Sequence, residues 1–306
     1  MDTQSFLVQQ LINAIFLGSI YALIALGYTM VYGIIELINF AHGELFTSGA
    51  FIGIIVLVLL QKFGFVESHF ILTMILAFGL AMAYVAVLGV AIEHVAYKPL
   101  RNASRLAAIL SALGMSIFLS NGMMLSQGVS DRAYPQLLSI RGVTIFDARI
   151  TYGQIFIIIL SIALMVALYA FVKGTKLGKA MRATAQNRTM ARMCGIDIDK
   201  TIRLTFIIGP ALGAAAGVMV GLYYGSVRFD MGFIYMIKAF AAAILGGIGS
   251  IPGAMLGGMI IGGVEVLWSA FLPSEWKDVT TFIVLILVLY LKPSGILGED
   301  VAETRV

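Results

Sequence analysis

KGTKLGKAMRATAQNRTMARMCGIDIDKTIR, residues 173–203, is a basic island between two long apolar runs, and its reading decides how the chain is laid out. It holds eight of the 20 Lys and Arg (Lys173, Lys176, Lys179, Arg182, Arg188, Arg192, Lys200, Arg203) against two acids, Asp197 and Asp199. Positive charge beside membrane spans is retained on the cytoplasmic face, so this stretch belongs inside. Leu177, Met181, Met190, Met193 and Cys194 fall at helical spacings, while Lys179, Arg182, Arg188 and Arg192 occupy other faces. Gly178, Asn187 and Gly195 predict short helices with breaks, and Asp197 or Asp199 a cap on the helix that follows. Charge alone leaves two fates open: a segment lying on anionic lipid, or a docking site for a cytoplasmic subunit.

Outward from the island the chain reads as lipid-soluble. Sixty per cent of its 306 residues are hydrophobic and 12% charged, with a mean hydropathy of +0.99. A soluble domain carries about a quarter charged residues. Glycine is abundant at 33 and proline scarce at six, a balance suited to helices whose backbones approach closely in lipid. The fold class is therefore an all-α polytopic membrane protein, one domain over 1–306. The net charge of +4 lies mostly in membrane-flanking loops and implies no nucleic-acid partner. MDTQSFLVQQ has no Lys or Arg and leads to no small-residue cleavage site, so no cleaved signal peptide is expected. Cys194 is the single cysteine, a free thiol with no partner for a disulfide within the chain.

A crossing takes about 20 mainly apolar residues. Residues 11–35, 45–60, 70–92, 150–172 and 204–224 qualify. The run 106–125 is interrupted by Ser111, Gly114, Ser116, Ser120, Asn121 and Gly122. The run 240–270 is broken by GGIGSIPGA at 246–254, and a short last span covers 279–291. Lys98, Arg101 and Arg105 place residues 95–105 inside with the island, and Lys292 and Arg305 place the tail there. Residues 61–69 and 126–149 then fall outside. The count is about eight to nine: nine crossings with an external N-terminus, or eight with one re-entrant segment.

Three sets of residues are candidates for a translocation pathway. IELINFAHGELFTSGAF (35–51) places Asn39, His42 and Glu44 between two apolar stretches. It reads either as a broken membrane segment lining a cavity or as a cytoplasmic-side turn in the headgroup layer. A metal site is not expected, with three His in the chain and no clustered Asp or Cys. KAFAAAILGGIGSIPGAMLGGMIIGG (238–263) contributes Gly246, Gly247, Ser250 and Gly253. Two half-helices meeting within the membrane would aim their dipole ends at a transport route; small-residue packing alone explains the glycines equally well. GGIGS lacks the lysine of a phosphate loop. Glu265 stands alone in GGVEVLW, where an ionisable residue is functional or held by an interhelical hydrogen bond. Lys238 and Glu93 are weaker candidates of the same kind, because both lie near predicted interfaces where side chains can snorkel.

INFAHGE (38–44) after YALIALGYTMVYGI, AILGGIGSIPGAMLGG (243–258) and LGKAMRATAQNRTMARMCGID (177–197) together resemble the permease subunits of branched-chain amino acid ATP-binding-cassette (ABC) importers, most closely the LivH type. The resemblance runs over nearly the whole chain, in the same order. It implies the ABC importer permease fold and half of a pore, paired with a second related permease (LivM-type), two cytoplasmic ATPase subunits and an extracytoplasmic substrate-binding protein in the inner membrane. It makes residues 173–203 the coupling segment, with Lys176, Lys179, Arg182, Arg188, Arg192 and Gly195 facing the ATPase. It also implies no cofactor, no enzymatic activity and no ATP hydrolysis in this chain. Neutral amino acids other than the branched-chain ones, amides or urea are alternative cargoes.

Rivals from other classes fit less well. A secondary carrier or channel has only Glu265 and Glu44 as intramembrane carboxylates and gives the island no role. A membrane enzyme would need a clustered nucleophile and base, and His42, His69 and His94 are scattered at span edges.

Overall fold

The computed structural model describes residues 3–101, 103–138 and 141–298. Arg305 lies outside them. The helices, in chain order, are α1 (Thr3–Ile35), α2 (His42–Lys62), α3 (Phe65–Ser68), α4 (Phe70–Ile92), α5 (Arg105–Gln127), α6 (Tyr152–Gly174), α7 (Lys176–Gln186), α8 (Arg188–Met193), α9 (Ile198–Tyr224), α10 (Met231–Gly246), α11 (Ile251–Phe271) and α12 (Lys277–Leu291). Seven are long and apolar enough to cross a membrane; α10, with 16 residues, and α12, with 15, are shorter. Starts are marked chemically. Ser104, Thr151, Thr175, Asn187, Asp197 and Ser250 each accept a backbone N–H of the first turn of their helix, supplying orphan donors with a partner.

The polar interruptions at 106–125 do not break α5. Ser111 donates to the Ala96 carbonyl at 3.1 Å and Asn121 to the Ile117 carbonyl at 2.8 Å, so their polar groups are satisfied locally. The run at 240–270 does split, into α10 and α11. The island differs from expectation at both ends and at one glycine. Lys173 belongs to α6, and Lys200 and Arg203 to α9, whose first turn begins six residues before the expected span. Gly178 is no break: it sits in the first turn of α7, where a Cβ would lie 2.3 Å from the Val172 carbonyl.

Buried α1 is the axis of the bundle, in contact with α9, α10 and α11. The α1–α11 seam is backbone against backbone: a Cβ at Gly258 would lie 2.2 Å from the Ala22 nitrogen, and one at Gly262 2.4 Å from the Gly18 Cα. In lipid, such close approach supplies the packing that hydrophobic burial supplies in water. Pro210 inside α9 cannot donate to the Phe206 carbonyl. Gly89 of α4 packs against that carbonyl, at 2.3 Å from where its Cβ would stand.

The bundle has two chemically distinct ends. At one, β1 (Arg132–Ala133) pairs with β4 (Ser226–Val227), and β2 (Gly142–Ile145) with β3 (Ala148–Thr151) through a turn in which Phe146 and Asp147 both have positive φ. There the Arg149 N–H donates to Gln9 at 2.7 Å, and the rings of Phe6 and Phe271 meet edge-on at 5.7 Å. At the other end gather the 36–41 turn, the end of α4, α7 and α8, the turn between α10 and α11, and residues 295–298. Arg188 Nη2 donates to the Ile34 carbonyl at 2.6 Å, Arg101 bridges Glu93 and Asp199, and Ile296 N–H donates to the Leu245 carbonyl at 2.9 Å.

Candidate functional site

Residues 36–41 form a turn at the tip of α1, entered by Glu36 at φ +58°. Asn39 closes it: its Oδ1 accepts the Ala41 N–H at 3.1 Å and the Tyr97 hydroxyl at 3.0 Å. The turn is at the bundle end rather than mid-span, and the polar residues in it and just after it are enclosed by protein. Asn39, His42 and Glu44 are all buried. Glu44 Oε1 accepts from Ser116 of α5 at 3.4 Å. The His42 ring fits a slot between α1 and α9, with Tyr28 edge-on at 5.9 Å. That slot exists because Gly27 and Gly213 lack side chains: a Cβ at Gly27 would come within 3.2 Å of the imidazole and 2.5 Å of the Gly209 carbonyl.

Gly246, Gly247, Ser250 and Gly253 form the α10–α11 turn. A Cβ at Gly246 would lie 1.9 Å from the Gly253 carbonyl, so the two helices touch through backbone alone. Gly247 has φ +104° and faces the backbone of Gly298, whereas Ser250 caps α11 by accepting the Gly253 N–H at 3.2 Å. The turn lies level with Gly33, whose Cβ would sit 3.2 Å from the Gly249 Cα. It therefore belongs to the end of the bundle that carries the island. Beside it, α1, α6, α7 and α11 line an open pocket of about 290 Å³ with Lys173 and Arg182 in its wall.

Glu265 is far from these residues, toward the other end, in a charge network. Its Oε2 accepts from the Tyr21 hydroxyl at 2.7 Å and the Lys238 ammonium at 2.8 Å, and its Oε1 faces the Lys277 ammonium at 3.3 Å. Lys238 also lies 2.8 Å from Asp278 Oδ1. The four charges sum to zero. Of the readings open to Lys238 and Glu93, snorkelling falls away: both are buried, at 6% and 1% exposure, and both are ion-paired. Sequence reasoning missed Tyr21, Lys277 and Asp278. The signal was present in the hairpin: the register that sets Gly246 on Gly253 and Ala242 on Gly257 brings Lys238 within a turn of Glu265.

The coupling candidates lie together on α7, α8 and the bend after them. Lys176, Lys179, Arg182 and Arg192 are exposed, Arg188 is half-buried on α1, and Gly195 at φ +81° turns the chain toward α9. Exposed Leu177, Met190 and Met193 stand among the cations, while Met181, Thr184 and Ala191 face inward. Asp197 caps α9 through the Lys200 N–H at 3.1 Å, and contact with Lys200 holds its carboxyl below the usual carboxylate range. Among the described residues no group of His, Cys, Asp and Glu has the arrangement of a metal site.

A family model described as branched-chain amino acid transport system / permease component matches residues 10–289. The chain is 46% identical over 304 residues to the high-affinity branched-chain amino acid transport system permease protein LivH of Salmonella typhimurium, with 97% of each chain covered. It is 45% identical over 305 residues to the permease protein BraD of Pseudomonas aeruginosa, again with 97% of each chain covered. A shorter likeness, 32% identity over 161 residues and 46% of each chain, is to the probable branched-chain amino acid transport permease protein LivM of Methanocaldococcus jannaschii.

Proposed function

This chain belongs to the family of branched-chain amino acid transport permeases, and we propose that it forms half of a translocation pathway for leucine, isoleucine and valine, driven from the island end. It is a multi-pass transport component of the inner membrane and not an enzyme. The pathway is completed by a second, related permease. Similarity to both LivH and LivM proteins supports a pair built from two versions of one fold. Two cytoplasmic ATPases and an extracytoplasmic binding protein complete the importer.

The end bearing α7 and α8 faces the cytoplasm, where positive charge is retained, and the end bearing the β-strands faces outward. The observation that carries the docking reading is the face of α7 and α8. Exposed Leu177, Met190 and Met193 interleave with Lys176, Lys179, Arg182 and Arg192, so the surface offers apolar area as well as charge. Arg188 pins that face to α1, and Asp199 joins it to α4 through Arg101. A pull on it therefore moves helix ends instead of bending a loop. The pathway candidates are Asn39, His42, Glu44, Gly246, Gly247, Ser250 and Gly253 toward the inner end and Glu265 toward the outer.

The test is co-purification. Lys179→Glu with Arg182→Glu leaves membrane insertion and melting temperature at wild-type values and removes the ATPase subunits from the purified complex. ATPases recovered at wild-type yield refute docking at this face and leave anionic lipid as its partner. Uptake of labelled leucine, with proline and urea as competitors, tests the cargo; competition by urea at equal concentration would assign the chain to amide transport.

A further inference from the structure

A second cavity, of about 280 Å³, lies at the outer end between α1, α9, α11 and the first residue of α12. Its size is at the lower edge of the roughly 300–1,000 Å³ usual for small-molecule sites, which suits a solute of amino-acid size. The lining is mixed, with Gln10, Asn13, Tyr223 and Ser269 among its polar members. Phe16, Leu17 and Val266 contribute apolar surface, and Glu265 and Lys277 one charge of each sign.

The Glu265 carboxylate is held unequally. On the closed side, Oε2 has short contacts to Tyr21 and Lys238. On the cavity side, Oε1 has the Lys277 ammonium at 3.3 Å, and the Lys277 side chain is 41% exposed. This is the loose bond of the network. A lysine on a flexible stem at that distance exchanges partners readily.

Charge bookkeeping then selects the ligand. Lys238 and Lys277 balance Glu265 and Asp278. A lone cation at Oε1 or a lone anion at Lys277 would break the Lys277–Glu265 contact and add one unbalanced charge to a neutral network. A molecule carrying an ammonium and a carboxylate one carbon apart inserts between the two and leaves every charge paired. The geometry points to an outer subsite for a zwitterionic amino acid in this cavity, with Glu265 receiving its ammonium, Lys277 its carboxylate, and the Phe16–Leu17–Val266 wall its apolar side chain. Because the ligand replaces an existing ion pair, the gain is small, as a hand-over point ahead of a pathway requires. The inference rests on the importer reading for its outward orientation and cargo class.

Ligand-observed saturation-transfer NMR on the assembled importer in nanodiscs, without the binding protein, tests it with three probes. Leucine carries both charges, 4-methylpentanoate lacks the ammonium, and 3-methylbutylamine lacks the carboxylate. Leucine binds; neither analogue competes with it. Lys277→Gln raises the leucine Kd about tenfold, the loss expected for one hydrogen bond to a charged group, and Lys277→Arg restores it. An unchanged Kd in Lys277→Gln, equal competition by either analogue, or no leucine signal at millimolar concentration overturns the subsite. Leucine uptake by the same wild-type assembly with its binding protein is measured in parallel and judges the importer reading separately. Normal uptake with a lysine-independent Kd removes the subsite alone, whereas lysine-dependent binding without uptake removes leucine import alone.

Discussion

Lys238 and Glu265 form the most deeply buried ion pair among the described residues, 2.8 Å apart with side chains 7% and 5% exposed. Removing one partner of such a pair strands the other charge, which costs about 3–5 kcal/mol. The surroundings place the loss at the lower bound. In Lys238→Met, Glu265 keeps the Tyr21 hydroxyl and Lys277; in Glu265→Gln, Lys238 keeps Asp278. Each single variant is therefore expected to lose about 3 kcal/mol. The double variant Lys238→Met/Glu265→Gln strands neither charge and leaves Lys277 and Asp278 to balance each other. Its loss is no larger than either single loss, giving a coupling of about 3 kcal/mol. Equilibrium unfolding in mixed micelles of rising SDS fraction, followed by circular dichroism, measures all four corners of the cycle. A double variant whose loss equals the two single losses added, within about 0.5 kcal/mol, would refute the pairing.

Three further outcomes follow from local geometry. Gly27→Ala forces a Cβ to 2.5 Å from the Gly209 carbonyl and into the His42 slot, so it destabilises by about 1–3 kcal/mol; Gly114→Ala, which meets open space within α5, leaves the melting temperature no lower than wild type. Gly253→Leu wedges α10 from α11 at their backbone contact and abolishes leucine uptake, while normal uptake would show that the turn tolerates separation. Asp197 is held below its ordinary range by Lys200, so its contribution is complete above the unfolded-state carboxylate pKa, about 4, and is lost as pH falls through the lower folded value. The gap in melting temperature between wild type and Asp197→Asn is accordingly flat from about pH 8 to 5 and closes below about pH 4; a gap that widens in acid would contradict this.

The helices were legible because their signals are local. Apolar runs of span length, an Asp before the Ile198 turn and an Asn before Arg188 need no knowledge of what packs where. The interior was less legible because its signals are pairwise. Lys238 and Glu265 lie 27 residues apart, and Tyr21 a further 217 from Lys238, so only the hairpin register and the α1–α11 seam bring the three together. His42 is the opposite case. Its position after INFA marked it as polar and out of place, but the slot that receives it is made of absent atoms at Gly27 and Gly213, which no hydropathy pattern reports. The glycines at 246–263 were ambiguous for the same reason: their role is defined by the backbone that fills the space of the missing side chain.

The two ends of the molecule are joined by α1 and α11, which meet backbone to backbone. Arg188 on α8 grips the last turn of α1, and α1 is fused to α11 through Ala22–Gly258 and Gly18–Gly262, where there is no side chain to slip. α11 begins in the turn next to the α7 cavity and carries Glu265 into the outer one. A shift of the proposed coupling segment would reach the outer cavity along two helices in backbone contact. Lys277 lies beyond them, on α12, across the loose 3.3 Å contact. The longest contact of Glu265 in the charge network falls at the boundary between the closely packed α1–α11 pair and α12. That is where a rigid-body movement of the pair would change one distance and leave the rest of the network intact.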